Sequence, residues 1–192
     1  MLINQDFEVA EPVDKVWQFF GDIPRVAACL PGATLTEDLG EDKYGGQVAV
    51  RMGPVRLQFA GTAEITERDE AAHRIVVNAT GADQRGRGQA SMVVTAVLAP
   101  AGRGTKVDVS QDLQLAGAAA QYGRGMIADV TAVLMRDFAA NMANQIAAAD
   151  RGETAVQTAA APAGGLAIGM RAALMALQRV FRRFFLPYQA AS

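Results

Sequence analysis

Tyr44–Thr66 reads YGGQVAVRMGPVRLQFAGTAEIT, and the pattern of this stretch decides the fold. Val48, Val50 and Met52 alternate with Ala49 and Arg51, and beyond Gly53-Pro54 the residues Val55, Leu57 and Phe59 alternate with Arg56 and Gln58. Apolar residues at every second position on both sides of a glycine-proline turn describe two half-buried strands joined as a hairpin. Turn residues recur at Gly40–Asp42, Arg68–Glu70, Gly81–Arg87 and Pro100–Gly104. They delimit further strands at Thr34–Leu39, Ile75–Thr80, Gln89–Leu98 and Thr105–Leu115. Connections this short favour an antiparallel meander over parallel βαβ units, whose crossovers are longer.

Upstream, Leu2–Val9 alternates as a strand, and Glu11-Pro12 opens a helix over Val13–Phe20 with Val13, Val16, Trp17 and Phe20 on one face. Ile23–Leu30 reads as a second short helix ended by Pro31-Gly32. From about Ala118 the period turns helical, with Met126, Val130, Val133, Leu134, Phe138 and Met142 recurring to about Ala148. The predicted class is α+β, a helix-grip arrangement in which a curved antiparallel sheet of about seven strands wraps one long C-terminal helix. Such a sheet and helix diverge and leave an apolar cavity open at one end. Periodicity nominates Trp17, Val50, Met52, Leu57, Phe59, Met92, Met126, Val130 and Leu134 as its lining, with core packing the competing reading for Trp17 and the methionines.

The predicted ligand-binding domain ends near residue 150, and 151–165 (RGETAVQTAAAPAGG) reads as a flexible linker without apolar period. Residues 166–186, LAIGMRAALMALQRVFRRFFL, carry a different pattern. On a helix, Leu174, Leu177, Phe181, Phe184 and Phe185 share one face, and Arg171, Arg179, Arg182 and Arg183 the other. Four arginines oppose a spanning role, each costing about 2.5–3.5 kcal/mol at the centre of a bilayer. Lying flat, the same helix keeps its arginines among anionic headgroups and sinks its Phe/Leu face. The competing reading docks the apolar face on the protein's own body or on a partner.

Of 192 residues, 51% are hydrophobic and 20% charged, with net charge −2. No basic, aromatic-interleaved surface emerges, which argues against nucleic acid. Met1–Phe7 runs straight into strand-like sequence without a signal peptide, so the expectation is a cytoplasmic protein attached peripherally to the inner face of the cell membrane. The single cysteine, Cys29, and single histidine, His73, leave no metal-ligand spacing and no nucleophile-base pair. Cys29 reads as a small buried hydrophobe and His73 as a solvated loop residue. Gly81–Gly88 (GADQRGRG) lacks the Lys-Ser/Thr of a phosphate-binding loop and reads as a flexible hairpin turn. Arg85 and Arg87 there could meet an acidic partner or lipid headgroups. No carboxylate interrupts the Val48/Val50/Met52 face, and Asp129 and Asp137 fall on other sides of the long helix.

The order of elements resembles the START/Bet v 1-like (SRPBCC) superfamily, and the chain is similar to the carbon monoxide dehydrogenase G-subunit family. Phe7–Val13 with Val16-Trp17, Asp22, and Cys29-Leu30-Pro31-Gly32-Ala33 carry the likeness. So do Gly46-Gln47-Val48, Gly53-Pro54, Phe59, Gly61, Gly86–Ala90 and Asp137–Asn141, the whole covering residues 1 to about 148. The resemblance implies a protein without catalysis of its own, and the residues themselves suggest no metal. It implies a partner, a molybdenum hydroxylase of the carbon monoxide dehydrogenase type, held near the membrane. It also implies a bound quinone, menaquinone or ubiquinone, carried between bilayer and enzyme. The alternatives are a polyketide cyclase/aromatase-like enzyme and a generic lipid-transfer protein of the same superfamily.

Overall fold

The computed structural model describes residues 1–151. All but the first residue of the expected linker, and the whole tail helix with its candidate membrane residues, lie outside the described residues. Strands β1 (Leu2–Val9), β2 (Ala33–Gly40), β3 (Lys43–Met52), β4 (Val55–Asp69), β5 (Arg74–Asp83), β6 (Gly88–Ala101) and β7 (Gly104–Gly117) form one sheet in the order β1-β7-β6-β5-β4-β3-β2. Every neighbouring pair is antiparallel. Helices α1 (Val13–Gly21) and α2 (Ile23–Cys29) connect β1 to β2, and α3 (Arg124–Asp150) closes the domain. This is the helix-grip architecture expected from the sequence. Asp22 caps α2 by accepting from the Arg25 backbone N–H at 3.2 Å, and Pro24 sits in its first turn where no intrahelical donor is needed.

Alternation sorts the sheet into two faces. The concave face carries Phe7 and Val9 of β1, Val107 and Val109 of β7, Ala96 and Leu98 of β6, and Ile75 of β5. The C-terminal half of α3 packs there. Phe138 meets the ring of Phe7 edge-on at 6.1 Å and that of Phe20 at 6.4 Å, and Met142 and Ile146 are fully buried behind it. Burial of each such side chain stabilises by about 1.5–3 kcal/mol. Asn141 adds a side-chain N–H to the carbonyl of Cys29 at 2.9 Å, tying α3 to the end of α2. Lys15 of α1 pairs with both Glu11 and Asp150, fastening the far end.

The long helix departs from the sequence expectation at its start. Residues Ala118–Gln121 form a separate 3-10 turn, entered through Gly117 at φ 72°, and α3 begins only at Arg124 after an extended Gly123. Its inward face is also rotated. Met126 and Val133 are 44% and 47% exposed, whereas Ile127, Phe138, Met142 and Ile146 are buried. Apolar residues and alanines lie on both sides of this helix, so periodicity alone leaves its facing ambiguous.

The turn at Gly81–Gly88 is not the loose hairpin its glycines suggest. The Asp83 side chain is fully buried and accepts from Arg87 Nε and Nη2, each at 2.8 Å. It also accepts from the backbone N–H groups of Gln58 (3.1 Å), Arg85 (3.1 Å) and Arg87 (3.3 Å). Arg87 Nη2 in turn donates to the Arg56 carbonyl at 2.9 Å, so one carboxylate joins the β3–β4 and β5–β6 turns. The Arg87 guanidinium and the three backbone donors hold the Asp83 carboxyl well below the usual carboxylate range.

Because that pKa is depressed on folding, its stabilisation is full above the ordinary carboxylate pKa of about 4 and fades as pH falls toward the folded value. Asp83→Asn should therefore lower the melting temperature by several degrees at neutral pH. The gap to the parent protein should narrow progressively below about pH 4. Thermal melts from neutral to strongly acidic pH check this; a gap of constant size would show that the charge on Asp83 contributes nothing.

Candidate functional site

Towards the N-terminal half of α3, helix and sheet part to leave a cavity of about 380 Å³. Two register rows explain the space. One runs Leu35–Gly46–Gly61–Gly81–Ala90–Leu115 across β2 to β7, and the next runs Tyr44–Ala63–Ala79–Met92–Leu113. All eleven residues line the cavity. Glycine and alanine occupy the middle of both rows, so nothing rises from the floor to meet the helix. Gly61 is required for a further reason: a Cβ there would stand 1.9 Å from the Thr80 carbonyl oxygen. Larger side chains form the walls, including Met52, Leu57 and Phe59 from the β3–β4 hairpin and Ile127, Val130 and Leu134 from α3. Val50 pairs with Leu57 and Val48 with Phe59, which puts the two alternating runs of the hairpin on the same face.

Of the sequence candidates, Val50, Met52, Leu57, Phe59, Met92, Val130 and Leu134 line this cavity. Trp17 and Met126 do not. Trp17 packs against the other half of the core, its ring edge-on to His73 at 5.4 Å. Met126 falls on the outward side of the first turn of α3, and its neighbour Ile127 takes the inward place. Periodicity missed the small residues of the floor, although glycine inside a strand is itself a signal of close backbone approach or absent packing. It also missed Gln111, a β7 side chain only 6% exposed that lines the cavity. Gln111 sits on the concave face between Val109 of the packed half and Leu113 of the open half.

No charged side chain and no histidine line the cavity. Burial pushes the Cys29 thiol up to about 11, against a smaller opposing effect of Arg25, so it stays protonated at neutral pH. His73 is half-buried rather than solvated, at φ 44° in the β4–β5 turn, with Asp14 at 3.8 Å and Trp17 beneath it. Among the described residues, no group of His, Cys, Asp or Glu is placed to hold a metal, and no helix is long and apolar enough to cross a membrane.

The floor offers a direct check of the void. Ala79→Leu projects into open space and should change stability by less than about 1 kcal/mol, whereas Gly61→Ala drives a methyl into backbone and should cost about 1–3 kcal/mol or more. Urea unfolding of both variants measures the contrast; equal losses would mean that the floor is packed.

Comparison with known proteins agrees with this geometry. A search of curated proteins finds no significant match. Among solved structures, a conserved protein from Geobacillus kaustophilus superposes with a TM-score of 0.69 at 23% identity, over 77% of this chain and 95% of that one. An aromatase/cyclase from Streptomyces sp. R1128 gives a TM-score of 0.57 at 14% identity, over 80% and 99%. The protein Ara h 8.0201 gives 0.52 at 14%, over 77% and 98%. At these identities the likeness is one of fold, the Bet v 1-like helix grip. The family described as the carbon monoxide dehydrogenase G-subunit, CoxG, matches residues 6–147, which include every strand but the first few residues of β1 and nearly all of α3. The chain belongs to this carbon monoxide dehydrogenase G-subunit (CoxG) family.

Proposed function

We propose that this protein is a non-catalytic accessory protein that binds a quinone in the cavity and delivers it between the membrane and a molybdenum hydroxylase of the carbon monoxide dehydrogenase type. The observation that carries this reading is a cavity of about 380 Å³ lined mostly by apolar residues and by no charged one. Its size falls within the ~300–1,000 Å³ common for small-molecule sites, and its walls favour an uncharged, largely hydrocarbon ligand. Among the polar residues that line it, Gln111 is a carboxamide only 6% exposed. Its side-chain N–H groups are donors that a ligand carbonyl could accept from. A quinone offers that combination of carbonyl acceptor and apolar body, with its isoprenoid chain leaving through the open end. Conversion of a polyketide would need a group to move protons, and neither carboxylate nor imidazole stands on this wall.

The family supplies the partner and the sequence of 166–186 the means of reaching lipid. Arg171, Arg179, Arg182 and Arg183 suit anionic headgroups, and Phe181, Phe184 and Phe185 suit the interface beneath them. A bilayer-held body raises the effective concentration of enzyme near membrane quinone without any new contact.

Solvent extraction of the full-length protein, purified from a quinone-producing host, followed by mass spectrometry should yield a quinone near one per chain. Leu134→Trp fills the cavity and should reduce the yield at least about tenfold, equivalent to 1.4 kcal/mol. Gln111→Leu removes one neutral hydrogen bond, about 0.5–1.5 kcal/mol, and should weaken quinone binding roughly three- to tenfold while leaving an alkyl-chain probe unaffected. Recovery of fatty acids or phospholipid alone would replace this reading with generic lipid transfer. For the tail, serine at Phe181, Phe184 and Phe185 together should release the protein from phosphatidylglycerol vesicles; undiminished cosedimentation would remove the tail as anchor.

A further inference from the structure

We propose that the outer, convex face of the sheet carries a second site, separate from the cavity, that binds a phosphate-class oxyanion. The same alternation that turns Val50 and Leu57 inward turns Arg51, Arg56 and Gln58 outward. Arg51 and Arg56 are direct cross-strand partners. Like charges placed opposite each other destabilise a sheet, yet this pair stands near a further arginine, Arg85, in a chain with more acids (20) than bases (18). Among the described residues, none of the three has a carboxylate within salt-bridge distance.

The arginines surround a built hollow. Arg56, Arg85 and Arg87 line a surface depression of about 430 Å³ with Gln58, Gln84 and the Pro54-Val55 turn, and it shares no residue with the cavity. Its frame is rigid. Asp83 and the Arg56 carbonyl hold Nε and Nη2 of Arg87, leaving Nη1 unengaged. The Gln47 side-chain oxygen accepts from Gln58 Nε2 at 3.4 Å and Gln84 Nε2 at 3.1 Å, fixing both amides at the rim. Asp83 neutralises Arg87, so Arg56 and Arg85 provide the uncompensated charge. Guanidinium forks on residues that line one concave site suit the several oxygens of a phosphate, with charge-assisted and bidentate hydrogen bonds. The same chemistry is offered by free phosphate, a soluble phosphomonoester or the phosphodiester of an anionic lipid. The site stands whatever the cavity holds.

The test uses full-length protein and the variant Arg56→Gln/Arg85→Gln, which keeps the Arg56 carbonyl that Arg87 needs and leaves the Asp83 clamp intact. Inorganic phosphate is titrated at constant ionic strength while backbone amide resonances are followed by NMR. Phosphatidylglycerol and phosphatidylcholine vesicles are then compared by cosedimentation, with the three tail phenylalanines replaced by serine so that tail binding is read separately. Saturable shifts confined to residues 54–58 and 84–87, at least about tenfold weaker in the double variant, would support the site and assign it to free phosphate. Arginine-dependent sedimentation with phosphatidylglycerol only would support it and assign it to a lipid headgroup. If neither phosphate nor phosphatidylglycerol engages the parent protein through these residues, the proposal is overturned. A response of the double variant equal to that of the parent overturns it too. The variant's melting temperature provides the folding control and should hold or rise at low salt, since the Arg51–Arg56 repulsion is relieved.

Discussion

The wedge of Phe138 between Phe7 and Phe20 sets the distance between helix and sheet, and the rest of the molecule follows from it. At that point α3 is pressed onto the concave face, with Met142 and Ile146 sealed behind. A helix is stiff, so its N-terminal turns must project from this fixed end over whatever floor the sheet supplies. Had the rows through Gly61 and Ala63 carried leucine or valine, the gap would close into ordinary core, because interiors pack to the density of organic crystals. They carry glycine and alanine across four adjacent strands in the first row and two in the second, and the gap stays open.

An apolar void of this size is unfavourable in an otherwise packed domain, since its walls lose the contacts that would stabilise them. The fold tolerates it by dividing its core. One hydrophobic cluster joins α1, α2, the C-terminal half of α3 and strands β1, β7, β6 and β5, while a second, which includes Met52, Leu57, Phe59, Ala119 and Ile127, supplies cavity wall. A bound apolar molecule would restore the missing contacts and so couple occupancy to stability. Bulges between Ile65 and Glu67 on β4, and at two places on β2, help bend the sheet around the helix.

Charge is arranged by the same alternation. The cavity lining is without it, and the outer side gathers Arg51, Arg56 and Arg85 at one end, beside the pair of buried Asp83 with Arg87. Residues that would catch the eye as chemistry, Cys29 and His73, prove to serve packing: the thiol is buried beneath the end of α2 and the imidazole covers the edge of Trp17. The cavity is thus lined without a charged side chain, and the arginines stand apart from it on the outer side of the sheet.

The sequence by itself determined the strands, their turns, the antiparallel order and the helix that grips them. Each of these is encoded over about ten residues by side-chain period, glycine and proline. Val48–Met52 and Val55–Phe59 read correctly because hairpin neighbours are also chain neighbours. Only the tertiary structure decided that Gly46, Gly61 and Gly81 fall in one row, that Gln111 lies between core and cavity, that α3 turns Ile127 inward and Met126 outward, and that Asp83 locks two turns together. Those facts depend on register between strands far apart in the chain and on which side of an alanine-rich helix meets the sheet. No local preference specifies either; they are settled where distant side chains compete for the same buried space.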